Sequence, residues 1–420
     1  MFQAFAVFLV ILASTLIAPF TALNLATGLR LILAGIGLAL TLAMIQIGEA
    51  KYLHRVIGAW LVASLAGVLF CVGQTLPETP LAHSVWASAA TALGSSTFGH
   101  ITVDVGATVM AILHLLVLIS TVVLATSVMI DRERAELGLA CLALVAALLV
   151  VIDWIKQPDP ADLGIRQMVD CAIFGTLLAS ACGYLAFERY ETRHAKQADA
   201  LRRLGIYCLG SAAATLLCAT AIVSQGTPAE MAVAAIAFVV FGGVIAARRI
   251  GVGAWTGLAL MGLAFLGISF AAFNAEQPEW ALLAYTDASP HLVELTRRMV
   301  EDAPWLGTGA GTIELLSGIY RGYDDPVIYQ PPSLAVVLIT ELGWPASVLL
   351  LLLCLLATGS LLKKGFRRGR DSIYAILGTA VLVATLLLTF INSGLQNEAV
   401  SILLAGVFGL ALAQCESRRS

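Results

Sequence analysis

Runs of about 20 apolar residues recur along the whole chain, and no other feature restricts the fold as much. A helix needs about 20 such residues to cross a hydrocarbon core of about 30 Å. Within lipid only helices and closed barrels satisfy every backbone N–H and C=O, and the alternation of barrel strands is absent. The expected fold is therefore all-α and polytopic. Charge content agrees, because 12% of the 420 residues are Asp, Glu, Lys or Arg against about 25% in soluble domains, and mean hydropathy is +0.91. Twelve spans are read near 4–20, 28–47, 56–75, 105–130, 137–154, 168–187, 205–224, 231–247, 255–273, 344–362, 372–391 and 399–414. The first lacks a basic leader and is read as a retained helix.

Lys and Arg set the expected orientation. With these spans, 18 of the 24 basic side chains fall on one side, and Arg30, Lys156, Arg166, Arg297, Arg298 and Arg321 on the other. Cytoplasmic loops carry the excess, so both termini are expected in the cytoplasm. The chain then divides into nine spans over 1–273 with an outer loop near 76–104, a large outer loop over 274–343 containing short amphipathic helices, and three spans with a cytoplasmic tail over 344–420. The eight cysteines lie in apolar spans or at the extreme C-terminus and form no CxxC pair, so neither a disulfide framework nor a metal site is expected. No cofactor and no nucleic-acid partner is expected either; the expected surroundings are a lipid bilayer. Ionisable residues within spans are few: Arg30 and His114, with Asp153, Asp170 and Glu398 near span ends. Such groups mark transport paths when they line the midplane, and their scarcity, with no internal repeat, favours chemistry at the membrane surface.

The segment 289–345 mixes charges, aromatics and glycines as no other stretch does. Ser289 and Pro290 read as a helix start, Leu292, Leu295 and Met299 as its apolar face, and Pro304 as its end. Spacing puts Arg297 between Glu294 and Glu301, and Arg298 between Glu294 and Asp302. Such a helix either lies on the bilayer with self-paired charges or offers an arginine fork to a phosphate. Gly307, Gly309 and Gly311 follow without the flanking strand or the GK[ST] of a phosphate loop, so a close-packed turn is expected. A short amphipathic piece over 313–320 precedes Arg321, Tyr323, Asp324 and Asp325. Ser333 then caps a short helix that stops at Gly343, ahead of the span opening at Trp344 and Pro345. Glu341 on that helix is either a local cap or a catalytic carboxylate.

The order of these features resembles the O-antigen ligase and polymerase family of bacterial polysaccharide assembly. The resemblance rests on Asp302, Pro304, Trp305, Gly307, Gly309 and Gly311, on Tyr320, on Glu341-Leu342-Gly343, and on the earlier stretches 101–108 and 131–134. It implies a metal-independent glycosyltransferase of the inner membrane whose periplasmic loop joins undecaprenyl-diphosphate-linked glycan to an acceptor sugar, alongside other assembly proteins. Arg297, Arg298 and Arg321 would then face the diphosphate, and Glu341 or His291 would be the base. Two positions depart from the family pattern. Pro332 and Ser333 stand where members carry His-Asn, and Ala288, Ser289 and Val293 occupy a G-R-x-x-x-W run. A non-catalytic assembly partner, or a transporter of lipid-linked sugar or another small molecule, is the alternative.

Overall fold

The computed structural model describes residues 1–17, 23–77, 81–94, 98–156, 163–192, 198–250, 290–322, 331–367 and 371–416. These residues form fourteen α-helices and no strand. In chain order they are α1 (Phe2–Ile17), α2 (Leu23–Met44), α3 (Ile47–Gln74), α4 (Ser84–Leu93), α5 (Val105–Val128), α6 (Arg132–Lys156), α7 (Leu163–Thr192), α8 (Ala198–Gln225), α9 (Pro228–Ile250), α10 (Pro290–Glu301), α11 (Ile313–Tyr320), α12 (Leu334–Arg367), α13 (Ile373–Ile391) and α14 (Glu398–Ala413). Nine of them, α2, α3, α5 to α9, α12 and α13, are long and apolar enough to cross a membrane. α1 and α14 are apolar but only 16 residues long, a rise of about 24 Å against a core of about 30 Å. The expected span at 255–273 lies outside the described residues.

Small residues let the helices approach closely. A Cβ added to Gly409 of α14 would sit 2.6 Å from the Ala125 Cβ of α5, and one on Gly378 of α13 would sit 2.4 Å from Ala411. Gly175 of α7 meets the Cys218 Sγ of α8 in the same way, at 2.8 Å. Lipid supplies no hydrophobic drive between helices, so this contact is where dispersion accumulates. α7 lies against α6 and α8, α14 against α5, and α13 against α9 and α12.

The two ends of the bundle differ in chemistry. At one, Arg132 pairs with Asp371 at 3.1 Å and Glu136 at 3.5 Å, Lys364 pairs with Glu416 at 2.8 Å, and Arg189 meets Glu136. Tyr52 donates to the Ala413 carbonyl at 2.9 Å, and the Met1 ammonium reaches the Met44 Sδ, so Met1 and Glu416 both belong to this basic end. At the other end a glycine-rich segment docks between helices, and basic side chains are few. We call it the glycine end.

Candidate functional site

α10 begins at Pro290, whose fixed φ suits the first helical turn, and closes at Glu301 before Pro304; Ser289 lies outside the described residues. Its apolar face does not lie on lipid. Leu295, Met299 and Val300 are buried against Ile313 and Leu316 of α11 and Val336, Val337 and Ile339 of α12. The polar face is paired within itself. Arg297 donates to Glu294 at 2.9 and 3.2 Å and to Glu301 at 3.4 Å, and Arg298 donates to Glu294 at 3.2 Å. Hydrogen bonds from Arg297 and then Arg298 hold the Glu294 carboxyl below its usual range. Asp302 pairs elsewhere: it takes the hydroxyl of Tyr320, and burial together with that bond pushes the phenol up. Arg297 and Arg298 remain 39% and 60% exposed, so a solvent-borne anion can reach them. His291 on the first turn and Arg321 just beyond α11 are exposed as well.

The glycine-rich segment is a packing device. Gly307, Gly309 and Gly311 all have positive φ (73°, 105° and 78°), which only glycine adopts freely. An added Cβ would come within 2.2 Å of the Glu341 carbonyl at Gly307, and within 2.1 Å of the Thr102 Oγ1 at Gly309. The backbone donors here are already engaged. Gly307 N–H donates to Pro304 O at 2.9 Å, Thr308 N–H to Thr340 O at 2.9 Å and Gly309 N–H to Glu341 O at 3.1 Å. Ala310 N–H donates to the Gln74 Oε1 at 3.2 Å. These groups are not aimed at an anion, in line with the close-packed turn that the missing phosphate-loop flanks imply.

Glu341 holds this arrangement from below. α12 is broken at Gly343, whose φ of 79° and ψ of 168° lie outside the helical region, and Pro345 opens the second piece where its missing donor is harmless. The break separates 334–342 from the long apolar run behind it. Glu341, in the short piece, is buried; its Oε1 accepts the Ile313 N–H at 3.2 Å, and the Gly311 and Thr312 N–H groups also face it. Thr312 at the N-cap of α11 makes no side-chain cap of its own, so a carboxylate from a different helix satisfies those first donors and complements the helix dipole.

Gln74 completes the joint, and nothing in a single apolar span announces it. Its Nε2 donates to Leu306 O at 2.9 Å and Glu341 O at 3.1 Å while its Oε1 accepts from Ala310. The stretch before α5 adds an edge: Val103 N–H donates to Thr308 O at 2.8 Å, and Asp104 caps α5 through Gly106 at 2.7 Å and Ala107 at 3.1 Å.

Two further polar clusters lie at the same end, inside the bundle. Glu398 at the start of α14 is ion-paired with Arg30 of α2 and accepts from Thr27, and the His114 Nδ1 of α5 stands 3.7 Å from it. Arg30, 1% exposed, also donates to the Ser14 Oγ at 3.0 Å, and the His114 Nε2 lies 3.2 Å from the Ser401 Oγ. Nearby the Asn392 side chain donates to Asp170 at 2.9 Å and Glu230 at 2.7 Å, while the backbone carbonyl of Asn392 receives the Leu334 N–H at 2.9 Å and so fixes the start of α12. Arg30, His114 and Glu398 are visible singly in the sequence; their meeting is not, since Arg30 and Glu398 are 368 positions apart.

The structure thus brings His291, Arg297 and Arg298 onto one short helix, sets Arg321 at the end of the helix packed against it, and puts Glu341 beneath the glycine segment. No family model matches the chain, and no curated protein is detectably similar to it.

Proposed function

We propose that the protein is a glycosyltransferase of the bacterial inner membrane that polymerises or ligates undecaprenyl-diphosphate-linked glycan, working at the glycine end, with that end facing the periplasm and the basic end and both termini facing the cytoplasm. The observation that supports this most is the mounting of Arg297, Arg298 and Arg321 on two short helices, α10 and the end of α11, that pack on each other and on α12. The arginines are accessible while their backbone is fixed.

Exposed ion pairs such as Arg298 with Glu294 are worth about 0–1 kcal/mol, so a diphosphate, with more charge and more acceptor oxygens, can displace Glu294. In the reaction the acceptor hydroxyl attacks the anomeric carbon. A new C–O bond forms there as the bond to the diphosphate oxygen breaks, and that oxygen leaves with the electron pair. Arginine donors stabilise the charge that develops on it, and a base takes the hydroxyl proton. His291 shares a face with Glu294 and Arg298 at helical spacing and is exposed. Glu341 could act only by giving up donors that cap α11.

Purified protein in lipid, supplied with cognate undecaprenyl-diphosphate oligosaccharide, first alone and then with acceptor sugar, is expected to release undecaprenyl diphosphate and form a longer or transferred glycan. Arg298→Ala and Arg321→Ala are expected to lose that turnover at normal protein level; full turnover in both overturns the assignment of the diphosphate site. The self-pairing of Arg297 and Arg298 favours one second reading, a non-catalytic partner in polysaccharide assembly. On that reading the purified protein turns nothing over, and both variants support polymer in cells as the parent does. A transport role would draw on Arg30, His114 and Glu398. His114 is the tenth of the 24 residues of α5, roughly 14 Å along that helix and so near the middle of the span, where such a path would need it.

A further inference from the structure

Two strips of exposed apolar side chains run along the bundle surface and converge at the glycine end. On α3 the strip is Leu65, Leu69 and Val72, continued by Leu76 beyond its last turn; on α12 it includes Val348, Leu352 and Leu355. Spacings of three, four and seven put each set on one helix face, the pattern of a lipid-facing surface. They lead to the same place. Gln74, at the top of the α3 strip, donates to Leu306, and the backbone of Trp305 lies against Gly343 at the top of the α12 strip. Trp305 is 78% exposed there, with the half-exposed Trp344 following Gly343. Trp154, in the last turn of α6, is half-exposed at this end as well. Tryptophan collects at the boundary between acyl chains and headgroups because its ring is apolar and its N–H wants a polar partner.

The next helix extends the same surface. α11 turns Ile313 and Leu316 inward, yet Leu315 and Ile319, four residues apart on another face, are 52% and 60% exposed. A soluble surface seldom keeps a tryptophan, a leucine and an isoleucine of one short segment uncovered without something to cover them.

We propose that residues 305–320 form a shelf seated in the interfacial layer of the bilayer leaflet at the glycine end, with Trp305 as its anchor and Leu315 and Ile319 in contact with acyl chains. The occupant is the lipid surface, because Trp305 stands against Gly343, where the α12 strip ends, and tryptophan is the side chain that marks the acyl-headgroup boundary. A seat in the interface fixes the height of α10 and α11, and with it the height of Arg297, Arg298 and Arg321 relative to lipid headgroups. The inference rests on the membrane-spanning helices and not on the proposed reaction.

The test uses the full chain in nanodiscs. Trp305→Phe replaces the exposed indole by a phenyl ring and leaves the backbone of the joint in place, so the difference in emission between parent and variant reports Trp305. In lipid brominated high on the acyl chain that difference is expected to fall by roughly half or more, as for an interfacial tryptophan, and aqueous iodide is expected to leave it unchanged. Quenching by iodide and not by brominated lipid overturns the proposal by placing the ring in water. Quenching by neither also overturns it, and cross-linking between chains would then identify a second copy as the cover.

Discussion

Two glutamates at the glycine end, Glu341 buried and Glu398 with a side chain 11% exposed, are both satisfied, by opposite means. Glu341 is held by backbone: the Gly311, Thr312 and Ile313 N–H groups face its carboxylate, and the carbonyl of the same residue takes Gly309 and Gln74. Glu398 is held by side chains, namely the Arg30 guanidinium, the Thr27 hydroxyl and the approach of His114. Backbone donors cannot leave without unwinding a helix start, so Glu341 behaves as a fixed part of the scaffold. Side-chain partners can be exchanged, but a guanidinium left alone inside a span has nowhere to go. The first arrangement fixes geometry and the second neutralises charge.

Replacing Glu398 by Ala should separate the two most sharply. It strands Arg30, and loss of one partner of a buried pair costs about 3–5 kcal/mol; unfolding of the protein in bicelles should show it, and a change below 1 kcal/mol would mean Arg30 finds water or lipid phosphate instead. On the scaffold side, Gly343→Ala should cost about 1–3 kcal/mol through backbone conformation alone, and more once the Cβ meets the Trp305 carbonyl 2.0 Å away. Limited proteolysis around 305–312 is the readout, with increased cutting expected. Glu341→Gln keeps an acceptor for Ile313 and should cost only about 1 kcal/mol, with turnover largely retained; complete loss of turnover in a folded Gln variant would move Glu341 from scaffold to chemistry. The smallest effect should be Arg298→Ala on stability, within about 0.5 kcal/mol for a surface side chain, against its large expected effect on turnover.

Local rules reached far into this chain. Pro290, Pro304 and Gly343 marked a helix start, a stop and a break because each acts on its own backbone, and the structure places α10 and the broken α12 accordingly. Pairing of Arg297 with Glu294 and Glu301 followed from spacing on one helix. The partner of Asp302 did not, since Tyr320 comes from another helix, and neither did the helix α4 within the stretch expected as an outer loop near 76–104. What stayed illegible was everything held by uncharged polar residues at span ends. Gln74, Thr102 and Asn392 look like ordinary span boundaries, and only folding puts each against segments far away in the sequence. The burial of α10 on α11 and α12 was hidden for the same reason, since an amphipathic face reads alike whether lipid or protein covers it.

The Arg30 pairing also sets a schedule for biosynthesis. Arg30 enters the membrane with the second helix, and Glu398 is made 368 residues later, roughly 20–70 s later at about 5–20 residues per second. Through that interval the hydroxyl and carbonyl of Ser14, on the first helix, can hold the guanidinium, while the insertion machinery, headgroup phosphate or water must shield its charge until the carboxylate arrives. Closure of the glycine end waits on the ribosome as well, because Gln74 has to hold its amide available until residue 341 emerges. Truncated chains ending before 398 would therefore present the quality-control system with an unmatched cation near the head of the second helix.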